Sequence, residues 1–232
     1  MSFLKAEWRK LIMINYEVDP EVLKPYVPFG TELDFFENKC YVSLVGFMFM
    51  NTKLLGVRVP FHVNFEEVNL RFYVKRENKR GVVFIKEIVP KPALTFVANT
   101  VYKENYVTLP MSHDWSESTD EIEVDYKWYL NSKQNFVKVR VNKTPIKIEE
   151  NSIAEFIAEH YWGYSKAGDQ KTTEYEVKHP KWKHYEVNDC KLDVDFVSNY
   201  GAEFNSLNNK KPSSVMLLEG SEVSVENKRI IK

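Results

Sequence analysis

Phe65-Glu66-Glu67-Val68-Asn69-Leu70-Arg71-Phe72-Tyr73-Val74-Lys75-Arg76 is the stretch whose reading decides the fold. Glu67, Asn69 and Arg71 fall on one side, and Val68, Leu70 and Phe72 on the other. That is the period of two that a strand imposes and a helix does not. A strand over 63–76 follows. Downstream, Glu77-Asn78-Lys79-Arg80-Gly81 turns the chain and 82–89 is a second strand, stopped by Pro90-Lys91-Pro92. Beyond it Leu94, Val97, Ala98 and Val101 recur at helical spacing with Pro92 near the first turn, which predicts a helix over 93–102 as the main buried helix of the first half.

Upstream, 32–36 and 40–49 are strand-like runs joined by Glu37-Asn38-Lys39, a hairpin signal, and 53–60 is a loop punctuated by Gly56 and Pro60. Asp19-Pro20-Glu21 starts a helix that Pro25 and Pro28 hold to about two turns. In the second half, 123–129 and 135–141 flank a hairpin at Asn131-Ser132-Lys133-Gln134. Ser152 with Glu155 has capping-box spacing for a helix over 152–160, which Trp162-Gly163-Tyr164 breaks. Strands at 172–177 and 185–194 flank His179-Pro180. A helical turn at 201–207 and a hairpin of 213–218 with 222–226 through Gly220 complete the chain. The polar run 112–125 is too short to separate domains. No strand–helix alternation of the βαβ kind occurs. The expected fold class is mainly β (β-rich α+β): one domain over 1–232, built on a strongly curved or closed antiparallel sheet with about three short helices.

Composition narrows function. The chain has 232 residues, 44% hydrophobic and 14% aromatic, which is ample core material. Lys+Arg number 32 against Asp+Glu 33, a net charge of -1, so no basic field recruits nucleic acid. Cys40 and Cys190 form neither a disulfide framework nor a zinc motif, and read as free thiols of a reducing cytosol. The first residues carry no export signal and no window reaches ~18 uninterrupted apolar residues, so a cytoplasmic protein without a membrane span is expected. No nucleotide, cofactor or metalloprotease signature is present, and His179 and His184 beside Pro180 make a poor metal pair, so neither cofactor nor metal is expected.

The chemistry-bearing residues cluster around the opening stretch. In a closed sheet the row Glu67, Asn69, Arg71 points either to solvent or into the lumen; inside, its charges need partners or a bound anion. Lys86 and Glu87, flanked by Val83-Phe84-Ile85 and Ile88, go to opposite faces, so one of them shares a lumen with Glu67 and Arg71 unless a bulge leaves both exposed. In Asn105-Tyr106-Val107-Thr108-Leu109-Pro110-Met111-Ser112-His113 the proline ends a strand, which places His113 on a loop or at the mouth of a pocket. The ligand-binding candidates are therefore Glu67, Asn69, Arg71, Lys86, Glu87 and His113; no residue is assigned a catalytic role.

Asp19-Pro20-Glu21-Val22-Leu23, Gly30-Thr31-Glu32-Leu33-Asp34, Tyr41-Val42-Ser43-Leu44-Val45-Gly46-Phe47, Glu67-Val68-Asn69-Leu70-Arg71, Arg80-Gly81-Val82-Val83-Phe84 and Lys178-His179-Pro180-Lys181-Trp182 resemble the YqjF-like family of unknown function, over nearly the whole chain. That family is similar to a distant branch of the acetoacetate decarboxylase-like superfamily. The resemblance implies a strongly curved antiparallel β-structure around a small-molecule cavity. The decarboxylase acts through a Schiff-base lysine whose pKa a second lysine lowers. Its Tyr-x-Glu motif is similar to Phe65-Glu66-Glu67, which implies a cavity-facing Glu67. Its Gly-Tyr/Phe-Pro-Lys-Lys motif falls on Thr108-Leu109-Pro110-Met111-Ser112, so Met111 and Ser112 stand where the lysines would be, and neither forms an imine. The expectation is a small polar or anionic metabolite in an internal cavity. The alternatives are a non-catalytic interaction protein with a filled cavity, and a residual decarboxylase using Lys86 or Lys91. Open sheet edges also offer a route to a homo-oligomer.

Overall fold

A computed structural model describes residues 2–232. The strands, in chain order, are β1 (Leu4–Val18), β2 (Glu32–Leu33), β3 (Cys40–Leu54), β4 (Phe65–Arg76), β5 (Lys79–Val89), β6 (Tyr106–Thr108) and β7 (Met111–Glu117). They continue with β8 (Glu121–Leu130), β9 (Lys133–Lys147), β10 (Trp162–Gly168), β11 (Lys171–Lys178), β12 (Lys183–Asp193), β13 (Ser214–Val225) and β14 (Arg229–Ile231). The helices are all short: α1 (Pro20–Leu23), α2 (Pro92–Val97), α3 (Ile153–Ala158) and α4 (Phe196–Tyr200). As expected, Asp19 caps α1 through the Glu21 amide, and Ser152 caps α3 through the Glu155 amide.

The strands form one sheet in the order β14-β11-β10-β5-β4-β3-β1-β13-β12-β9-β8-β7. It turns back on itself, because β13 also bonds β11, with Val177 opposite Val225 and Lys178 opposite Ser224. The path β11-β10-β5-β4-β3-β1-β13 is therefore a closed ring, antiparallel except where β10 meets β5. The remaining strands, β12-β9-β8-β7, leave the ring at β13 as a wing. One core lies between ring and wing, where Val68, Leu70 and Phe72 meet Val124, Trp128, Val137 and Val139. A second core lies on the other face of β4, with Met13, Val45, Phe47, Phe65 and Tyr73. The amphipathic look of the 65–76 stretch is thus misleading: β4 is covered on both faces, and its polar row is enclosed rather than solvated.

Close approach between the layers explains one glycine. A Cβ on Gly46 of β3 would stand 2.9 Å from the Tyr126 ring of β8, whose hydroxyl donates to the Lys10 carbonyl at 2.9 Å. Gly220 has a different role from the expected hairpin tip. It lies within β13, at φ 81°, with Trp8 backbone where its Cβ would be, and β13 runs unbroken against β1.

Four further readings are corrected. The segment 93–102 is not a buried helix; α2 buries none of its residues and passes into a π turn in which only Tyr102 is buried. The chain at Trp162-Gly163-Tyr164 does more than end α3, since it opens β10. Residues 112–117 are strand rather than loop, and β1 (central, and paired on both sides) is a strand absent from the expectations: Lys5, Glu7 and Arg9 alternate with Leu4, Ala6 and Trp8, but Lys10, at positive φ beside a register shift, and the unbroken apolar run Leu11-Ile12-Met13-Ile14 end that alternation.

Candidate active site

β4 sets the floor of a partly open cavity of about 200 Å³ lined by strands of the ring. Glu67, Asn69 and Arg71 line it from alternate positions, at 2%, 1% and 8% exposure. Asn69 lies directly across from Glu87 on β5 and Val45 on β3. A bulge between the Leu70 and Arg71 pairings then lets Ile85 and Lys86 both leave the cavity side, so Glu87, Phe84 and Val82 all line it. Tyr106 enters from β6, Tyr175 from β11, Glu104 from the segment before β6, and His160 from the connection between α3 and β10. The facing wall is apolar: Leu4, Trp8 and Leu11 of β1, and Leu94, Val97 and Ala98 of the α2 segment. The helical spacing of 93–102 is therefore the spacing of a cavity wall.

The polar groups form two poles. At the first, Asn69 Nδ2 donates to Glu67 Oε1 at 2.9 Å, Tyr106 OH donates to Glu67 Oε2 at 3.1 Å, and Tyr175 OH donates to Glu104 Oε1 at 2.8 Å. Burial lifts all the carboxyls here. Glu67 rises to about 7, with Asn69, Tyr106 and Arg71 pulling the other way, and Glu104 rises to about 8. Glu87 is raised well above the usual range by burial and then by Glu104 and Glu67, and one of its oxygens has no hydrogen-bond partner. Near pH 7 Glu87 and Glu104 are thus largely protonated, and Glu67 is divided between its two forms.

The second pole is Arg71. Its Nη2 donates to the Ile157 carbonyl, an orphan of the α3 C-terminus, at 3.2 Å, and its guanidinium lies 5.7 Å from the Tyr73 ring centre. No carboxylate of the described residues lies within ion-pair distance, and Nε has no partner. His160 lies nearby, its ring tilted by 32° against Tyr73 at 4.6 Å, and burial pushes its pKa down to about 4 against the pull of Asp34.

The sequence candidates divide accordingly. Glu67, Asn69, Arg71 and Glu87 are brought together on the cavity wall. Lys86 is not among them; it reaches the Asn199 carbonyl and Tyr200 on the opposite face. His113 is not at the cavity mouth either. It stands on β7 and pairs with Glu66, the outward neighbour of Glu67, at 2.7 Å. Met111 and Ser112 precede it on β7, and none of Thr108-Leu109-Pro110-Met111-Ser112, the segment matched to the lysine motif, lines the cavity. Among the described residues no lysine lines the cavity, Lys86 and Lys91 included, which leaves the imine route without a nucleophile there. Sequence reasoning missed Glu104, Tyr106, His160 and Tyr175. Glu104 sits in Lys103-Glu104-Asn105, which reads as a solvated loop, and His160 at the ragged end of a helix.

The family model described as "Uncharacterized conserved protein", DUF2071, matches residues 5–222. The chain belongs to this family. A family relative, "Uncharacterized protein YqjF" of Bacillus subtilis (strain 168), is 24% identical over 181 residues, covering 77% of this chain and 74% of that protein. Among solved structures the family fold is similar to acetoacetate decarboxylase from Legionella pneumophila subsp. pneumophila str. Philadelphia 1, with a TM-score of 0.69 at 11% identity over 99% of this chain and 87% of that one. It is also similar to the enduracididine biosynthesis enzyme MppR complexed with pyruvate, with a TM-score of 0.67 at 9% identity over 100% and 91%. At such identities the likeness shows the acetoacetate decarboxylase-like fold alone. No helix of the described residues is long and apolar enough to cross a membrane.

Proposed function

We propose that this family member binds a small organic carboxylate in the ring cavity and exchanges a proton with it. The observation that carries this reading is Arg71, a buried guanidinium on the cavity wall with no carboxylate partner. A buried charge without a counterion is costly, and an anionic ligand supplies the missing half in bidentate geometry. Glu67, fixed by Asn69 and Tyr106 and held at about 7, has the basicity of a general acid–base group at neutral pH. Protonated Glu87 and Glu104 donate hydrogen bonds to a ligand oxygen, as neutral carboxylic acids do in apolar sites. The cavity, at about 200 Å³, is below the ~300 Å³ of typical drug-sized sites and so suits a ligand of few atoms. A structural neighbour described as a pyruvate complex supports the ligand class.

The test is calorimetric titration of propionate and pyruvate into the parent and Arg71→Met, with deuterium incorporation at the pyruvate methyl followed by NMR in D2O. In the exchange, a methyl proton passes to the Glu67 carboxylate and a deuteron returns. Saturable binding lost in Arg71→Met, with exchange above the buffer rate lost in Glu67→Gln, is expected. Absence of carboxylate binding to the parent overturns the reading.

A further inference from the structure

Carboxylate capture by Arg71 leaves His160 without a role, and the surroundings of this histidine define one. The ring is enclosed, its side chain 1% exposed, between Tyr73 at 4.6 Å and Phe156 at 5.7 Å, yet neither ring nitrogen has a hydrogen-bond partner. Buried polar atoms are nearly always satisfied, so an orphan pair on a cavity wall marks what the cavity's occupant supplies. The two nitrogens differ. Nε2 lies 3.8 Å from Asp34 Oδ2, an oxygen that also accepts from Arg80 Nε at 2.6 Å. Burial pushes the Asp34 carboxyl up, but His160 and Arg80 outweigh it and keep it below its usual range, ionised at neutral pH. A carboxylate facing Nε2 favours the tautomer with the proton on Nε2. His160 is neutral at that pH, so Nδ1 then carries a lone pair and no proton. Nδ1 is an acceptor in need of a donor.

The donor has to lie close to whatever Arg71 holds. Arg71 is anchored to the carbonyl of Ile157 in α3, His160 follows three residues later in the connection to β10, and both side chains line the cavity. Resting on the Arg71 carboxylate reading, we propose that His160 Nδ1 accepts a hydrogen bond from a ligand hydroxyl, so that the cavity selects hydroxy acids over the matching acids without the hydroxyl. Asp34 and Arg80 are positioning residues for this contact. A site that hydrogen-bonds a substrate hydroxyl rejects the analogue lacking it, because the buried acceptor is then stranded.

The experiment has two arms. In the first, long-range ¹⁵N correlation spectra of the ligand-free protein read the His160 tautomer, expected as Nε2–H with bare Nδ1; a proton on Nδ1 overturns the proposal whatever binds. In the second, calorimetry compares L-lactate, D-lactate and propionate. At least one lactate is expected to bind roughly tenfold or more tighter than propionate. The preference should collapse in His160→Phe and return in part in His160→Asn, whose amide oxygen stands near the Nδ1 position. Lactate and propionate binding equally to the parent, both lost in Arg71→Met, overturns the His160 inference and leaves the carboxylate reading standing. Failure of every acid to bind overturns both.

Discussion

Arg71 concentrates the tension between stability and use. Its guanidinium is buried, donates to the Ile157 carbonyl and more weakly to Met13 Sδ at 3.9 Å, and leaves Nε unpartnered on a cavity wall. Replacing a poorly compensated buried charge with an apolar side chain of similar length is often neutral or stabilising, by about 1–4 kcal/mol. Arg71→Met is therefore expected to keep or raise the denaturation midpoint while abolishing carboxylate binding. A stability lowered by more than about 2 kcal/mol would show that the Ile157 and Tyr73 contacts dominate instead. Glu67 sets a second expectation at this scale. As pH rises through about 7 its carboxyl ionises beside the ligand's own carboxylate, and Glu104 follows near 8. Affinity for propionate should thus fall as pH rises from neutral into the alkaline range in the parent. Titrations across that range should show a shallower fall in Glu67→Gln, where one of the two ionisations is gone.

At the scale of elements, the sequence was legible where local chemistry decides and opaque where neighbours do. The β4–β5 and β8–β9 hairpins and the caps at Asp19 and Ser152 were readable because turn and cap residues act within a few positions. The 93–102 segment misled because helical periodicity reports an apolar face, not what that face meets. Here it meets the cavity, with Phe96 exposed at 71%. Gly220 reads like a turn, but its positive φ serves the close approach of β13 to the Trp8 backbone. The parity rule put Lys86 and Glu87 on opposite faces without deciding which joins Glu67, and the structure gives that place to Glu87, while Glu104, Tyr106 and Tyr175 arrive from elements whose juxtaposition only the closed ring creates. Gly46 provides the test of layer packing. Gly46→Ala pushes a methyl into the Tyr126 ring and should destabilise by about 1–3 kcal/mol in urea unfolding. Tyr126→Leu in the same chain should recover some of that loss through a favourable coupling energy.

For the whole molecule, the carboxyl cluster couples folding to pH. Glu67, Glu87 and Glu104 have pKa values raised above the unfolded 4.5. Below about pH 4.5 both states hold these protons and there is no penalty. Between 4.5 and about 8 the unfolded chain releases protons that the fold retains, so stability falls as pH rises, then levels. Asp34 and Glu174 act oppositely: their lowered values give stability that is present above the unfolded pKa and lost as pH falls through the folded one. Stability should accordingly peak near pH ~5 and decline toward pH ~8. Urea midpoints measured across that range should flatten in the double variant Glu67→Gln with Glu104→Gln; an unchanged slope would place the proton uptake elsewhere.

Synthesis order makes the ring's closure a timing problem. β1 leaves the ribosome ahead of the other strands, and it pairs with β3 soon after, but its other edge is matched by 214–225. While the intervening residues are made that edge stays bare, with the apolar run Leu11-Ile12-Met13-Ile14 beside it, a template for a neighbouring nascent chain. Lys5, Glu7, Arg9 and Lys10 at the start of β1 are then the charges that discourage such pairing until β13 arrives.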